Sequence, residues 1–517
     1  MQGWVHRLWG QVALSVLMLA LVGTMPILSL AAELINAPRT GMGAGSGVGA
    51  GSGVGTGSGV DTGAGALGTG LGACTLEGSL ILAYDNNPQL NAQRAATRAT
   101  DENVTTALAG YRPRVTGTSS LTEQYIDQVV KATSAAGPPI YAQSKGAAAA
   151  SSFGLTTTQT LFNGFQTGNR TRQAEGQVFA ARETLRSTEQ TVLLSAATAY
   201  MNLLRDAAIL ELQRSNVNVL EVTLRQTRDR FAAGEVTRTD VAQAESSLAS
   251  GRAQLASSES NYITSRANYR QIIGVEPCAR LAPGAPVDRL SPRTVDGAIA
   301  RARNEHPTAT TAMYNIDVAA LQVKVAEAAL YPTLAAVGTV QKTFGPTSSL
   351  AITENLNASL AAQLSVPIYQ GGAEYAAIRQ AKETVGQRRL DLDTARDQVQ
   401  STVVQSWGQL EAAKAQISAT TAQVTAAEVA LNGVREEARV GQRTTLDVLN
   451  AQQALVNARV ALVTAQRDRV VASYTVLAAV GSLSPQVLGL RIEVYDPMVH
   501  YQQVRDAWAG VRIPDGR

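Results

Sequence analysis

Apolar side chains occupy every second position in one stretch of the sequence, between residues 356 and 368. They are Leu356, Ala358, Leu360, Ala362, Leu364, Val366 and Ile368, and Asn, Ser, Ala, Gln and Pro lie between them. A two-residue period over about a dozen residues has the length and two-faced character of a β-strand that crosses a membrane. Residues 153–161 carry a weaker copy, and each copy needs a hairpin partner. We therefore predict four strands in two hairpins, at about 114–126, 150–162, 333–345 and 354–368.

A seven-residue apolar period fills the two long segments that contain no proline, residues 140–276 and 368–484. One seam comprises Val403, Leu410, Ile417, Val424 and Leu431, a second comprises Val399, Ser406, Ala413, Thr420, Ala427 and Val434, and the first recurs 207 residues earlier as Ala196, Leu203, Leu210, Val217 and Leu224. A strict heptad found twice predicts long helices that wind around their neighbours. We place these helices at 166–231, 237–273, 374–438 and 444–481. At about 1.5 Å rise per residue the third extends roughly 96 Å, which describes a tube wall rather than a globule.

The chain contains an internal duplication. Residues 75–88 match residues 294–307 at an offset of 219, whereas 161–164 match 368–371 at an offset of 207. The length difference falls between residues 113 and 161, so that stretch contains a loop. We predict a first repeat at 74–280, a linker at 281–293, a second repeat at 294–485 and a C-terminal tail at 486–517. Each repeat opens with an Ala-rich helix that stops before a proline.

The motif Gly-x-x-Thr-x-x-Asp follows the first long helix of each repeat. Its members are Gly234, Thr237 and Asp240 in the first repeat, and Gly441, Thr444 and Asp447 in the second. Glycine can adopt the left-handed conformation that closes a helix, and threonine with an acid three residues later can cap the next helix. A tight helical hairpin explains the motif structurally, and its presence at both turns leaves a functional interpretation open.

The N-terminus is typical of an export signal. His6 and Arg7 precede an apolar run at 12–22, and small residues near Ala31 fit a cleavage site, so we predict a signal peptide at 1–31. A Gly-rich segment at 32–73 is predicted to be a flexible leader. No later run of about 18 apolar residues occurs, so membrane insertion must use strands.

The composition argues against catalysis. Aromatic residues make up only 5% of the chain and charged residues 16%, and the net charge is +3. Three histidines and two cysteines fall short of a metal cluster or a Cys/His catalytic set. We expect no enzymatic activity, no cofactor, no metal site and no nucleic-acid partner.

The strand count predicts an oligomer. Four strands cannot close a barrel, and open edges in lipid leave unpaired backbone groups that cost several kcal/mol each. Eight strands enclose a space that side chains fill, whereas twelve can leave a lumen, so we expect a homotrimer. The predicted fold class is mainly α-helical with transmembrane β-strands: a duplicated helical hairpin builds a trimeric α-helical barrel joined to a 12-stranded β-barrel.

Several motifs carry a family resemblance over about residues 75–500. They are the Thr-Leu-Glu opening that ends in Asn-Pro, the Tyr-x-Pro helix stop, Leu-Phe-Asn-Gly, Ile-Tyr-Gln-Gly-Gly, and Val-Gly-Gln-Arg-Thr-Thr-Leu-Asp-Val-Leu-Asn-Ala-Gln. In these residues the chain resembles the TolC-like outer-membrane efflux and type I secretion channels of Gram-negative bacteria. The resemblance implies a passive, trimeric exit duct in the outer membrane whose helical barrel lies in the periplasm. A periplasmic adaptor (membrane fusion) protein and an inner-membrane pump of the ABC or RND type are the implied partners, besides outer-membrane lipid.

The resemblance also implies a gate at the helical tips. Arg443 is similar to the arginine that links neighbouring helices in this family, with Thr239 and Asp240 as its expected partners. Asp447 matches one acidic ring position of the lumen, and Asn450 stands at the second. The implied adaptor-contact residues are Gly234, Glu235, Val236, Val440, Gly441 and Gln442.

The resemblance places Cys74 and Cys278 near each other beside the helical barrel. In the oxidising periplasm they are predicted to form a disulfide that closes the first repeat, and two unpaired thiols are the alternative. The alternative to a channel is a periplasmic coiled-coil scaffold or adaptor, which would have the heptads and the export signal but no lipid-facing strands.

Overall fold

The computed structural model describes residues 74–132, 137–138, 140–345 and 354–514. The predicted signal peptide and the Gly-rich leader lie outside the described residues. The elements of the first repeat are α1 (Leu76–Asn86), α2 (Pro88–Leu108), β1 (Arg114–Ala132), β2 (Ile140–Asn163), α3 (Gln166–Ala232) and α4 (Arg238–Ile273). Those of the second are α5 (Val295–Glu305), α6 (Pro307–Glu327), β3 (Thr333–Phe344), β4 (Glu354–Ser365), α7 (Ala373–Arg439) and α8 (Thr445–Val480), and α9 (Pro497–Val504) lies in the tail.

Corresponding helices of the two repeats have equal lengths. The pairs α1 and α5, α2 and α6, α3 and α7, and α4 and α8 contain 11, 21, 67 and 36 residues. Capping side chains explain where the first helix of each repeat begins. Thr75 and Thr294 cap α1 and α5 by accepting a hydrogen bond from the backbone of Gly78 and Gly297, at 3.1 and 3.2 Å. Within the described residues, no helix is both long and apolar enough to cross a membrane.

The four strands form one antiparallel sheet in the order β1-β2-β3-β4. The first hairpin is longer than predicted: β1 and β2 contain 19 and 24 residues, and their pairing extends to Ala132 and Ile140. The apolar alternation ends earlier than the backbone pairing, so the sequence pattern underestimated both strands. In contrast, β4 ends at Ser365 rather than 368, because Pro367 lacks the N–H that a strand donates.

The sheet has one apolar and one polar face. The register places Leu121, Phe153 and Leu360 on the same face, where each side chain is more than half exposed. On the other face hydroxyl groups meet across strands, as Ser120 and Ser152 do at 2.7 Å. An exposed apolar face opposite a polar one is the pattern of a sheet with lipid on one side and water on the other.

The long helices pack side by side. Helix α3 contacts both α4 and α8, and α7 contacts α8, so the order is α4-α3-α8-α7. Nearer the sheet, α6 packs between α3 and α7. The heptad seam is the packed side of α7, where Val403 and Leu410 are buried. Helices α4 and α7 therefore form the two edges of the layer.

The ends of the first repeat are joined covalently. Cys74, just before α1, and Cys278, just after α4, form a disulfide across 204 residues. Beside it, the hydroxyl of Tyr200 donates to the carbonyl of Ala282 at 2.6 Å. The C-terminal helix α9 also packs on the first repeat, where buried His500 contacts buried Asp101 of α2 at 3.0 Å.

Candidate functional site at the helical tips

The turns that end α3 and α7 are built alike. Gly234 and Gly441 adopt φ values of +83° and +77°, which favour glycine because a side chain would be strained there. The next residue then donates its N–H back into the helix, from Glu235 to Arg230 and from Gln442 to Glu437, each at 2.9 Å. This closes each helix at its last turn and reverses the chain within a few residues.

A reciprocal capping box starts each returning helix. In the second tip, the N–H and hydroxyl of Thr444 donate to Asp447 Oδ2 at 3.0 and 2.9 Å, and the Asp447 N–H donates to Thr444 Oγ1 at 3.2 Å. Thr237 and Asp240 repeat this arrangement in the first tip. Backbone and hydroxyl hydrogen bonds from Thr444 hold the pKa of Asp447 below its usual range, so the carboxylate is charged at neutral pH.

The two tips carry ion pairs of opposite polarity. Arg230 Nε lies 3.1 Å from Glu235 in the first tip, and Arg443 Nε lies 2.8 Å from Glu437 in the second. At the offset of 207, Arg230 corresponds to Glu437, so the helix contributes the cation in one tip and the anion in the other. Both pairs are about half exposed, and surface ion pairs of this kind contribute little to stability.

Arg443, in the turn between α7 and α8, has a partner on α7 that the sequence did not indicate. The hydrogen bond and charge of Glu437 raise the pKa of Arg443 above its usual value. In the described part of the chain, no hydrogen bond or ion pair joins Arg443 to Thr239 or Asp240. The link from Arg443 to those residues stays a prediction. Glu437 stands six residues before Arg443, across a turn, a spacing that no simple helical rule singles out.

A groove of about 820 Å³ lies between the two tips. Four arginines line it, Arg230, Arg435, Arg439 and Arg443, whereas the acids on its wall are Glu235 and Asp240. The groove therefore has a net positive lining and is open to solvent at the end of the helical layer.

One apolar contact holds the tips together. Leu449, two residues after Asp447, is buried in a cluster with Val217, Leu220 and Leu248 of α3 and α4. Next to it, Arg435 donates to the Gln452 side chain at 2.9 Å. Leu449 was not predicted from the sequence, although its spacing of three from Leu446 and seven from Val456 was a usable signal.

The predicted gate and tip residues surround this groove and turn. Asp447 is half-buried, and Asn450 lies one turn further along α8 and is exposed. Thr239 and the implied adaptor-contact residues Gly234, Glu235, Val440, Gly441 and Gln442 are exposed, and Val236 is partly buried. No group of three or more His, Cys, Asp or Glu side chains able to hold a metal occurs among the described residues.

A family model described as "Outer membrane efflux protein" matches residues 80–275 and 298–482. The outer membrane efflux protein BepC of Brucella suis is 39% identical over 86% of this chain and 93% of its own length. The outer membrane protein TolC of Escherichia coli is 28% identical over 66% of this chain and 71% of its own. The alkaline protease secretion protein AprF of Pseudomonas aeruginosa is 26% identical over 61% of this chain and 66% of its own.

The fold agrees with these relatives. The crystal structure of the outer membrane protein VceC from Vibrio cholerae superposes with a TM-score of 0.65 at 20% identity, over 78% of this chain and 96% of that one. The family resemblance is thus confirmed, and with it the location in the outer membrane and the transport role, which is not enzymatic. The chain belongs to the outer membrane efflux protein family, the TolC-like exit ducts of efflux and type I secretion.

Proposed function

We propose that three copies of the chain close one duct, made of a twelve-stranded barrel in the outer membrane and a tube of helices in the periplasm. The duct is passive: an inner-membrane pump of the ABC or RND type supplies the energy, and a periplasmic adaptor docks at the tips. Family membership sets aside the alternative of a scaffold without a pore.

The open edges of the sheet support closure by other copies. Among the residues that the structure describes, β1 and β4 each pair on one side only. Their outer backbone groups need partners in lipid, because an unpaired group there costs several kcal/mol. Joining β4 of one copy to β1 of the next satisfies both edges, and three copies give a barrel wide enough for a lumen.

Matching stripes on the two edge helices carry the proposal. Each stripe consists almost wholly of small residues, has the 4-3 spacing of a heptad and is exposed in the single chain. On α4 the stripe comprises Ala242, Ser246, Ala249, Ala253, Ala256, Ser260, Ile263 and Ala267, and on α7 it comprises Gly408, Ala412, Ala415, Ala419, Ala422, Ala426, Val429 and Gly433. Small side chains let two helices approach closely.

The stripes also lie at the same height. The α4 stripe spans four to 29 residues from the start of α4, and the α7 stripe spans six to 31 residues from the end of α7. At about 1.5 Å per residue, they cover roughly 6–44 Å and 9–47 Å above the tips. Because α4 runs away from its tip and α7 runs toward its tip, the stripes of neighbouring copies can pack as an antiparallel pair.

The tips are the proposed gate and docking end. Three copies bring three Asp447 carboxylates and three Arg443–Glu437 pairs around one axis. The low pKa of Asp447 keeps its charge, which attracts cations to a narrow mouth. The exposed turn residues around Gly234 and Gly441 face away from the helical layer, where an adaptor can reach them.

Disulfide cross-linking tests the assembly. Ala256 and Ala422 lie at nearly equal heights, so the Ala256→Cys and Ala422→Cys double variant is expected to give oxidised trimers on a non-reducing gel. Thr421→Cys, combined with Ala256→Cys, is the matched control because Thr421 lies on another exposed face of α7. Absence of cross-linking in the first variant, or equal cross-linking in both, contradicts the proposed contact.

A further inference from the structure

The tail after α9 ends beside the sheet rather than beside the tips. Helix α9 is fixed along α2, where Thr105 Oγ1 donates to the Val504 carbonyl at 2.8 Å. Further on, Arg112 Nη1 donates to the Ala507 carbonyl at 2.6 Å, and the Arg112 guanidinium lies 4.8 Å from the Trp508 ring centre. Arg112 is two residues before the first residue of β1. The tail therefore rises along α2 and brings Trp508 to the junction of helices and strands.

The residues that follow are apolar and exposed. Trp508 is 63% exposed, Val511 is fully exposed and Ile513 is 50% exposed. Arg512, between them, is also exposed. Tryptophan next to aliphatic and basic residues is the composition found where proteins meet the headgroup region of a bilayer.

A strained phenylalanine marks the same junction. Phe165 adopts φ +63°, and it is the one non-glycine residue with positive φ in the described chain. The corresponding residue of the second repeat is Gly372, which adopts this conformation without strain. Phe165 is 71% exposed and contacts Phe162, whose register places it on the apolar face of the sheet. Backbone strain of this kind persists only where the surrounding structure imposes it, and it clusters at functional sites.

From this geometry we propose that Trp508, Val511 and Ile513 form a membrane-surface strap that inserts into the phospholipid leaflet facing the periplasm, next to Phe165. We choose a lipid bilayer as the partner because the strap lies next to the ends of the strands. The apolar face of the sheet begins there, at Val115. The inference rests on the proposed function, because it needs the sheet to lie in a bilayer. It adds a second, peripheral contact with lipid that the sheet itself does not supply.

Tryptophan fluorescence in vesicles of brominated phosphatidylcholine tests the strap. Outside the predicted signal peptide, which contains Trp4 and Trp9, the chain has two tryptophans, Trp407 and Trp508. The Trp407→Phe variant leaves Trp508 as the reporter, and we expect bromine near the headgroups to quench it. The Trp508→Phe variant is the control, because Trp407 lies 34 residues into α7, roughly 50 Å from the start of that helix.

A third variant separates failure of the strap from failure of the duct. Leu360→Trp, with both native tryptophans changed to Phe, reports on the apolar face of the sheet. Quenching at positions 360 and 508 but not at 407 supports the strap. Quenching at 360 alone, with Trp508 open to a water-soluble quencher such as iodide, overturns the strap and leaves the duct intact. No quenching at 360 contradicts the duct itself.

Discussion

The two helical hairpins, α3–α4 and α7–α8, have the same helix lengths but differ in the ion pairs that join their helices. Along α3 and α4, three ion pairs stand seven residues apart: Arg228–Glu245, Glu221–Arg252 and Arg214–Glu259, at 2.6, 2.7 and 3.5 Å. Along α7 and α8 the first becomes the hydrogen bond Arg435–Gln452, the second remains as Glu428–Arg459 at 2.8 Å, and Thr421 and Gln466 replace the third. Duplication has kept the apolar seam and let the charged flanks diverge.

The first helical hairpin also has more contacts with the rest of the chain than the second. Helix α3 is packed between α4 and α8, whereas α7 is at an edge and exposes its small-residue stripe. The disulfide closes the first repeat, and α9 also packs there. The first repeat is therefore the more constrained half of the chain, although each helical hairpin leaves one helix, α4 or α7, at an edge of the layer with an exposed stripe.

Removing the disulfide is expected to have the largest effect. Cys74→Ser combined with Cys278→Ser should destabilise the first repeat by about 4 kcal/mol, because a disulfide that closes a long loop restricts the unfolded chain. The midpoint of urea unfolding, followed by circular dichroism, measures this loss. Reduction of the unmodified protein should reproduce it, and an unchanged midpoint in both cases would show that the bond does not fix the first repeat.

Two corresponding leucines test whether the heptad seam stabilises both repeats equally. Leu203→Ala and Leu410→Ala each remove a fully buried side chain at the same place in the two repeats. Each is expected to cost about 3 kcal/mol, within the range for a buried leucine, and the two losses should agree. Unfolding midpoints measured under one condition provide the comparison, and a loss at only one of the two positions contradicts a common frame.

The sequence predicted the helical frame because its signals are local. Thr237 and Thr444 mark helix starts directly, and the heptad is read along one helix. The Ala-rich helix predicted at the opening of the first repeat is instead divided into α1 and α2 at Pro88. The outer half of the β1–β2 hairpin was missed because the two strands stay paired beyond the point where the apolar alternation ends. The stripe on α7 was missed for a different reason: alanine occurs on both faces of that helix, so only the packed structure distinguishes Ala422 from Ala413.

The tip acids separate a structural role from a functional one. Asp240→Asn and Asp447→Asn each weaken one capping box, with a small expected loss of stability at that tip. Cation selectivity of single channels in planar bilayers should fall with Asp447→Asn and stay nearly unchanged with Asp240→Asn. Equal selectivity in all three proteins removes Asp447 from the gate.

The same acids give a pH dependence. Hydrogen bonds depress the pKa of Asp240 and of Asp447, so their stabilising effect is present above the pKa of the unfolded chain. It is lost as the pH falls through the lower, folded value, that is, below about 4. The protection factors of the tip amides, which correct for slower intrinsic exchange in acid, should fall there. The two Asn variants should show no such fall over that range.

The charged ladder is expected to have the smallest effect. Arg252→Ala removes one exposed pair of the first hairpin, and Arg459→Ala removes its counterpart in the second. Each should cost about 0.5 kcal/mol. Hydrogen exchange of α4 and α8 measures both, and the loss in α8 should spread further toward its tip, because fewer pairs remain there. Equal spread in both hairpins contradicts the difference between them.

The number of chains in the assembled particle tests the central proposal most directly. Native mass spectrometry of the protein released from detergent micelles should give three times the mass of one processed chain, which is somewhat less than 54.2 kDa. A particle of one or two chains that still conducts ions in a planar bilayer would contradict the account, because four or eight strands cannot provide the proposed lumen.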